Sequence, residues 1–402
     1  MRRDWFSKRT IGPLVYERAN RDGAREALEF EARRVTFATL ARDIDAFARG
    51  LLALGIGPGD NVALWMPSPP EWVRRPTGAD QHAVAHRACR IRPGPIGLNC
   101  THHRGSVWPG RLPCHGMRAP AVPRRWWCWF AGCTATGIAA RDGDRRCANA
   151  WRARLVAQLE AGARVPDDVL RASIARVDPD GMAFIICTSG TTGFPKGVMH
   201  CHNIVRNVID RAYRMAITPA DTILIYLPLY HLYDFSEGIL MSMVTGARQL
   251  VSQSFDATES LRLLEEERQP SSTASTRILK TCSRVYRRQP RDTSGIRTGI
   301  LASGKLSSIP VAQEARKPFG NFLSGYGMNE IGIGAAASAI DLSEEQCVEA
   351  SGYPAPGYQV KIIDPEAAHE QPVGASGKIS RARLHRHAGV TTANPRKLPS
   401  HR

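Results

Sequence analysis

The stretch Thr188-Ser-Gly-Thr-Thr-Gly-Phe-Pro-Lys-Gly-Val198 limits what this chain can become more than any other. The apolar run before it, Met182 to Cys187, reads as a buried strand, and Gly197 to His200 reads as a second short strand. Between them lies a loop with little side-chain bulk, many hydroxyls and one cation. Backbone N–H groups in such a loop can surround a phosphate, because each amide dipole points positive charge inward. The Ser and Thr hydroxyls add hydrogen bonds, and Lys196 adds a point charge. The competing reading is a plain Gly-rich surface turn. The string is not a Walker A loop: Gly190 and Gly193 are too close together, and Gly197 follows the lysine.

Taken in order, the string resembles the phosphate loop of the adenylate-forming superfamily, which includes acyl-CoA synthetases, luciferases and peptide-synthetase adenylation domains. Other segments are similar to that family in the right sequence. Leu227-Pro-Leu-Tyr-His231 resembles its Leu-Pro-x-x-His segment, and Tyr326-Gly-Met-Asn-Glu330 its Tyr-Gly-x-Thr-Glu segment. Ser351-Gly-Tyr-Pro-Ala-Pro-Gly357, with Val360-Lys-Ile-Ile-Asp364, resembles the entry to its last large-domain strands. Thr36-Phe-Ala-Thr-Leu40, Gly57-Pro-Gly-Asp60 and Pro70-Glu-Trp72 also fit. The resemblance covers residues 1–73, 165–269 and 291–379, and it is strongest toward acyl-CoA synthetases that act on fatty or related carboxylic acids.

The resemblance implies a layered α/β fold: β-sheets flanked by helices, forming a large AMP-binding domain over residues 1–379, with 380–402 an anomalous tail. The chain ends soon after Gly377, before the family's ribose-binding Gly-Asp segment, hinge and C-terminal lysine, so the small C-terminal domain is expected to be missing. The implied reaction joins a fatty or aromatic carboxylic acid to coenzyme A through an acyl-adenylate, with ATP and Mg²⁺. In that chemistry Thr188, Ser189, Gly190, Thr191, Thr192, Gly193 and Lys196 would hold the outer phosphates. Tyr326 and Gly327 would lie at the adenine, and Asn329 would reach the α-phosphate. Glu330 would ligate Mg²⁺ as a hard oxygen donor. His231 would border the acyl pocket and the thiol path, and Gly304, with Lys305 and Leu306, would lie where substrate and adenine pack. Lys196, His231 and Glu330 are thus the implied catalytic set. Asn329 stands where the family has Thr or Ser, and its amide can still donate to a phosphate. Lys305 stands where a small residue is usual.

The formal charge of +17 ordinarily suggests nucleic acid or an anionic membrane as partner. Its placement argues against both. Residues 74–150 hold thirteen Arg, three Asp and neither Lys nor Glu; 270–290 and 380–402 are also basic and free of acids. Outside these blocks the chain is mildly acidic. Six of the ten Cys fall between Cys89 and Cys147, yet they lack the paired Cys-x2-Cys spacing of structural zinc sites. Trp126-Trp-Cys-Trp129 shows neither helical nor strand period. The three blocks read as out-of-frame translation: the codons for Ser272 to Lys280, and for Ala382 to Gly389, can spell family-like segments in another frame. No run of eighteen apolar residues exists and no secretory leader opens the chain, so a cytoplasmic protein without a membrane span is expected. The alternatives are a non-catalytic nucleotide-binding remnant and a basic nucleic-acid-binding protein. Oligomeric state is not written in the sequence.

The spacing of Leu40, Ile44, Phe47 and Leu51 predicts a helix over 36–55, stopped at Gly55. Further helices are expected over 203–215 and 260–268, and strands over 61–66, 221–227 and 358–364; Leu240 to Val251 is a second apolar segment. The frame expectation has a direct test. The nucleotide sequence, read in all three frames around codons 73, 269 and 380, should yield family-like strands and helices; a gene with no such alternative frame would make 74–150 a genuine insertion.

Overall fold

The computed structural model describes residues 7–30, 33–57, 61–65, 126–130, 157–188, 196–227, 229, 231–252, 255–267, 270–302, 309–383 and 390–392. Its helices are α1 (Pro13–Asp22), α2 (Phe37–Ala53), α3 (Asp167–Ala175), α4 (Ile204–Arg214), α5 (Leu232–Asp234), α6 (Met241–Thr245), α7 (Ala257–Glu266), α8 (Thr276–Arg288), α9 (Ile309–Phe319) and α10 (Glu344–Val348). A π-helical stretch, Phe235–Leu240, joins α5 to α6.

The main sheet has nine strands. They are β1 (Glu26–Phe30), β2 (Arg33–Thr36), β7 (Thr222–Ile225), β8 (Arg248–Val251), β9 (Pro270–Ser275), β10 (Thr298–Ala302), β11 (Asn321–Met328), β12 (Gly332–Ala337) and β13 (Tyr353–Pro354). The order is β13-β12-β11-β10-β9-β7-β8-β1-β2. From β11 to β1 every pairing is parallel; only β2 at one edge and β12 and β13 at the other run antiparallel. Smaller sheets pair β3 (Asn61–Trp65) with β4 (Trp126–Phe130) and β14 (Tyr358–Ile363) with β15 (Lys378–Arg383). A third joins β5 (Met182–Thr188), β6 (Lys196–Cys201) and β16 (Val390–Thr392).

A parallel sheet must be covered on both faces, and the strands show it. Along β7, Ile223 and Ile225 join one apolar cluster while Leu224 joins another; Val251 and Leu250 of β8, Ile300 and Leu301 of β10, and Leu323 and Phe322 of β11 divide the same way. The first cluster is completed by α1, α2, α4 and the π-helical stretch, the second by α7, α8 and α9. Sheets flanked by helices are what the alternation of apolar runs implies. Leu40, Ile44, Phe47 and Leu51 all lie buried on α2, which Thr36 caps by accepting from the Thr39 amide at 3.2 Å. Gly55 follows with φ +72°, a left-handed stop.

Two readings of the sequence change. Residues 126–130, expected to lack any period, form β4 in parallel register with β3; aromatic residues suit extended backbone even where polar alternation is missing. Residues 270–288, set apart above by their charge, supply β9 in the middle of the main sheet and α8 beside it. Their helical spacing was hidden under the basic residues: α8 buries Ile278, Leu279 and Cys282 while Lys280, Arg284, Arg287 and Arg288 stay exposed. The apolar segment from Leu240 to Val251 is two elements, broken at Gly246, whose φ is +83°. No helix among the described residues is long and apolar enough to cross a membrane.

The β5–β6 hairpin is tied to this body by packing and by one histidine. Phe184 of β5 stacks on His200 of β6, ring centres 4.8 Å apart, and meets Phe235 edge-on at 4.9 Å. Just past β6, buried His202 accepts the Ile11 amide on Nδ1 at 3.2 Å. Burial, only partly offset by nearby Asp178, pushes the His202 imidazole down to about 4. The folded state therefore holds it neutral, whereas an unfolded chain protonates it below about 6.5. Between those values the unfolded state binds more protons, so folding loses stability as pH falls from about 6.5 toward 4. The slope from this group is at most about 1.4 kcal/mol per pH unit. Chemical denaturation across that range should show a shallower pH dependence in His202→Asn than in the parent; identical slopes would mean that the imidazole is not held neutral.

Candidate active site

Four parallel strands, β7, β9, β10 and β11, lie side by side, so the segments after them emerge along one edge of the sheet. Register makes this edge level: Ala302 of β10 stands opposite Ser275 on one side and Gly325 on the other. In open α/β sheets ligands bind beyond the carboxyl ends of the strands. At this edge the chain continues into Leu227 and His231 after β7 and into a 3₁₀ turn, Asn329–Ile331, after β11.

The segment after β7 is held by two buried side chains the sequence reading did not single out. Asp234, fully buried, accepts the Leu227 amide at 2.7 Å and so closes the turn that contains His231. Tyr233 donates its hydroxyl to the Ile300 carbonyl of β10 at 2.8 Å. Burial first, then the charges of Glu237 and Asp234, hold that phenol well above its usual range, so it remains a donor. His231 caps α5 by accepting the Tyr233 amide on Nδ1 at 3.2 Å, and its ring is exposed. The signal for Asp234 was an acid set inside the apolar run Leu232, Tyr233, Phe235.

The end of β11 and the turn after it carry four of the expected residues. Tyr326 is half-buried against Ile331, Ala335, Ala355 and Tyr358. Gly327 is exposed, and Asn329 and Glu330 sit half-buried on the 3₁₀ turn. The turn ends at Gly332, whose φ of +83° redirects the chain into β12. The Ile331 carbonyl accepts the Tyr358 hydroxyl at 2.7 Å, and that hydroxyl accepts the Asn207 amide of α4 at 2.8 Å.

Thr188 and Lys196 end β5 and begin β6 as a register pair, which puts them at the mouth of the phosphate-loop hairpin. Ser189, Gly190, Thr191, Thr192 and Gly193 lie outside the described residues, as do Gly304, Lys305 and Leu306. The sheet thus brings His231 and Glu330 to one edge, while Thr188 and Lys196 belong to the β5–β6 hairpin.

Among the described residues no three His, Cys, Asp or Glu side chains gather as a metal cluster. A carboxylate such as that of Glu330 suits a Mg²⁺ that arrives on phosphates and keeps most of its ligands from them and from water. Half-buried Tyr326 offers a ring for stacking.

Comparison with known proteins gives a consistent picture. The profile of the AMP-binding enzyme family matches residues 15–75 and 140–382. The chain is 25% identical over 416 aligned positions to YngI of Bacillus subtilis, an acyl-CoA synthetase by name, covering 94% of this chain and 71% of that protein. It is 32% identical over 203 positions to the medium-chain fatty-acid–CoA ligase of Escherichia coli, covering 50% of this chain and only 35% of that enzyme. Among solved structures, it is similar in fold to O-succinylbenzoate coenzyme A synthetase from Bacillus subtilis in complex with ATP and magnesium. The TM-score is 0.65 at 18% identity, over 94% of this chain and 72% of that one.

Asp234→Ala removes the acceptor that closes the His231 turn and leaves the partly buried Leu227 amide without it. A loss of about 1–3 kcal/mol in unfolding free energy is expected from denaturant titration. An unchanged midpoint would show that the turn stands without Asp234.

Proposed function

This chain belongs to the AMP-binding enzymes, and from that premise we propose that it is an ATP-dependent acid–thiol ligase making acyl-CoA thioesters. The observation that carries the proposal is the juxtaposition at one sheet edge of the Tyr326–Glu330 strand-turn and the His231 turn, beside a hairpin closed by Thr188 and Lys196. The naming of YngI and of the Escherichia coli ligase supports coenzyme A as the acceptor and a fatty acid as one substrate class.

In this reading a carboxylate oxygen attacks the α-phosphorus of ATP. A new O–P bond forms, the α–β bridging bond breaks, and pyrophosphate leaves with the electron pair. The thiol sulfur of coenzyme A then attacks the acyl carbon, its proton passes to solvent, and AMP departs. Both steps need positioning and charge neutralisation more than covalent help from the protein. The loop from Thr188 to Lys196 cradles the β- and γ-phosphates with backbone amides, hydroxyls and one ammonium. Glu330 offers a carboxylate oxygen to Mg²⁺, which when bound screens the phosphate charges. Tyr326 and Gly327 form the adenine wall, Asn329 donates to the α-phosphate, and Gly304 lines the floor. His231, held at the mouth of its turn, borders the acyl pocket and the thiol path. The acid is fatty or aromatic.

The test is acid-dependent ATP–pyrophosphate exchange over a panel of fatty and aromatic acids. Exchange with at least one acid is expected, and exchange with none would overturn the reading. Lys196→Ala should weaken ATP about tenfold, the size of one charge-assisted hydrogen bond, and AMP much less, because in this reading Lys196 serves the outer phosphates that AMP lacks. Equal losses for both nucleotides, measured by calorimetry, would place Lys196 elsewhere.

A further inference from the structure

We propose that the Tyr358 hydroxyl and the Asn207 amide form a clamp that positions Glu330 relative to the phosphate-loop hairpin. The proposal rests on the ligase reading above and adds two positioning residues to it. The sequence resemblance assigned neither residue a role.

The geometry is specific. Tyr358, the first residue of β14, is 9% exposed, and Asn207, in the middle of α4, is 4% exposed. The phenol donates to the Ile331 carbonyl at 2.7 Å and accepts the Asn207 amide at 2.8 Å. Ile331 is the residue after Glu330 and is itself buried, so fixing its carbonyl fixes the peptide plane through which the Glu330 turn enters β12. The other end of the chain of bonds lies on α4. That helix starts three residues after β6 ends, and β6 begins at Lys196. One helix therefore links β6, which begins at Lys196, to the turn that would hold the Mg²⁺. The groups are neutral and buried, so the link is directional and poorly screened by salt. A carboxylate that meets a phosphate-borne ion needs placement to a fraction of an ångström, and an error of about 1 Å commonly costs about a hundredfold.

The experiment uses the 402-residue protein and three variants, Tyr358→Phe, Asn207→Ala and Glu330→Gln, with the double variant Tyr358→Phe/Glu330→Gln. ATP affinity is measured by calorimetry in Mg²⁺ and in EDTA, and amide hydrogen exchange is followed over 325–333. Tyr358→Phe keeps the ring packing and should speed exchange of the turn amides about tenfold, the effect of losing one buried hydrogen bond. It should weaken ATP about tenfold in Mg²⁺ and leave ATP in EDTA unchanged. Asn207→Ala, which spares the bond to Ile331, should act in the same sense but less. The double variant should bind no more weakly than Glu330→Gln alone, because both act through one carboxylate. The clamp is overturned if Tyr358→Phe binds Mg²⁺-ATP like the parent while Glu330→Gln does not. Equal loss in EDTA, or additive losses in the double variant, overturns it too. A parent that binds no ATP in either buffer overturns the ligase reading itself, and the clamp with it.

Discussion

A fully buried ion pair joins three of the elements that carry the candidate site. Arg211 of α4 and Glu237 of the π-helical stretch are both fully buried, with Nε and Oε1 2.5 Å apart. The guanidinium also presses on Gly334 of β12, where an added Cβ would stand 2.3 Å from Nη1 and where φ is +72°. Three elements thus converge on one arginine: the helix that follows the phosphate-loop hairpin, the stretch that follows the His231 turn, and the strand that follows the Glu330 turn. Two charges in a dry interior are costly unless each satisfies the other, and removing one partner commonly costs about 3–5 kcal/mol. The π-helical geometry has a role here. Its wider turn brings Ser236 and Glu237 inward together, with the Ser236 hydroxyl donating to Glu237 at 3.0 Å. π-helical turns are uncommon and concentrate near functional sites.

The opposite edge of the sheet is built differently. At the amino ends of β7 and β10, buried Asp221 accepts Arg297 with both carboxylate oxygens at 2.8 Å, and also takes the Thr218 amide at 2.6 Å and its hydroxyl at 2.9 Å. Arg297 donates further to the Ala216 carbonyl at 2.8 Å. Along the β1–β8 side, Arg248 bridges Glu29 and Glu267. Charges at this edge are consumed by one another. At the carboxyl edge, His231 stays exposed and Glu330 half-exposed. The two edges of the parallel sheet are thus built from different side chains, ion pairs at the amino ends and the His231 and Glu330 turns at the carboxyl ends.

How much of this could be read from residues alone follows from the range of each interaction. Strand β5, helix α2 and the ends of the phosphate-loop hairpin depend on local spacing, and the sequence carries them openly. Tyr326, Glu330 and His231 stand out in the sequence because they sit inside ordered short strings. Asp234, Tyr233, Asn207 and Tyr358 do not, because what gives them meaning lies far away in the chain: Tyr233 reaches Ile300, and Tyr358 reaches back to Asn207. Buried polar residues look like solvated ones until the fold supplies their partners. The block at 270–288 misled for a different reason. Its charge dominated the reading, while the apolar spacing of Ile278, Leu279 and Cys282 was a weaker signal that only the neighbouring α7 and α9 complete.

These differences bear on how the elements around the carboxyl edge are held. In the ligase reading the carboxylate and the phosphates must stand at a set distance before reaction. Among the described residues, α4 is the element that ties the flanking segments to one another. Its Arg211 locks it to the π-helical stretch, and its Arg214 donates to the Ala337 carbonyl of β12 and, at 3.2 Å, to Pro354 of β13. Its Asn207 reaches the Tyr358 hydroxyl. Each bond alone contributes only about 0.5–1.5 kcal/mol to folding. Together they restrict the relative motion of the Glu330 turn, the π-helical stretch and α4, and it is this prior loss of freedom, more than any one contact, that a reaction demanding in-line geometry would draw on.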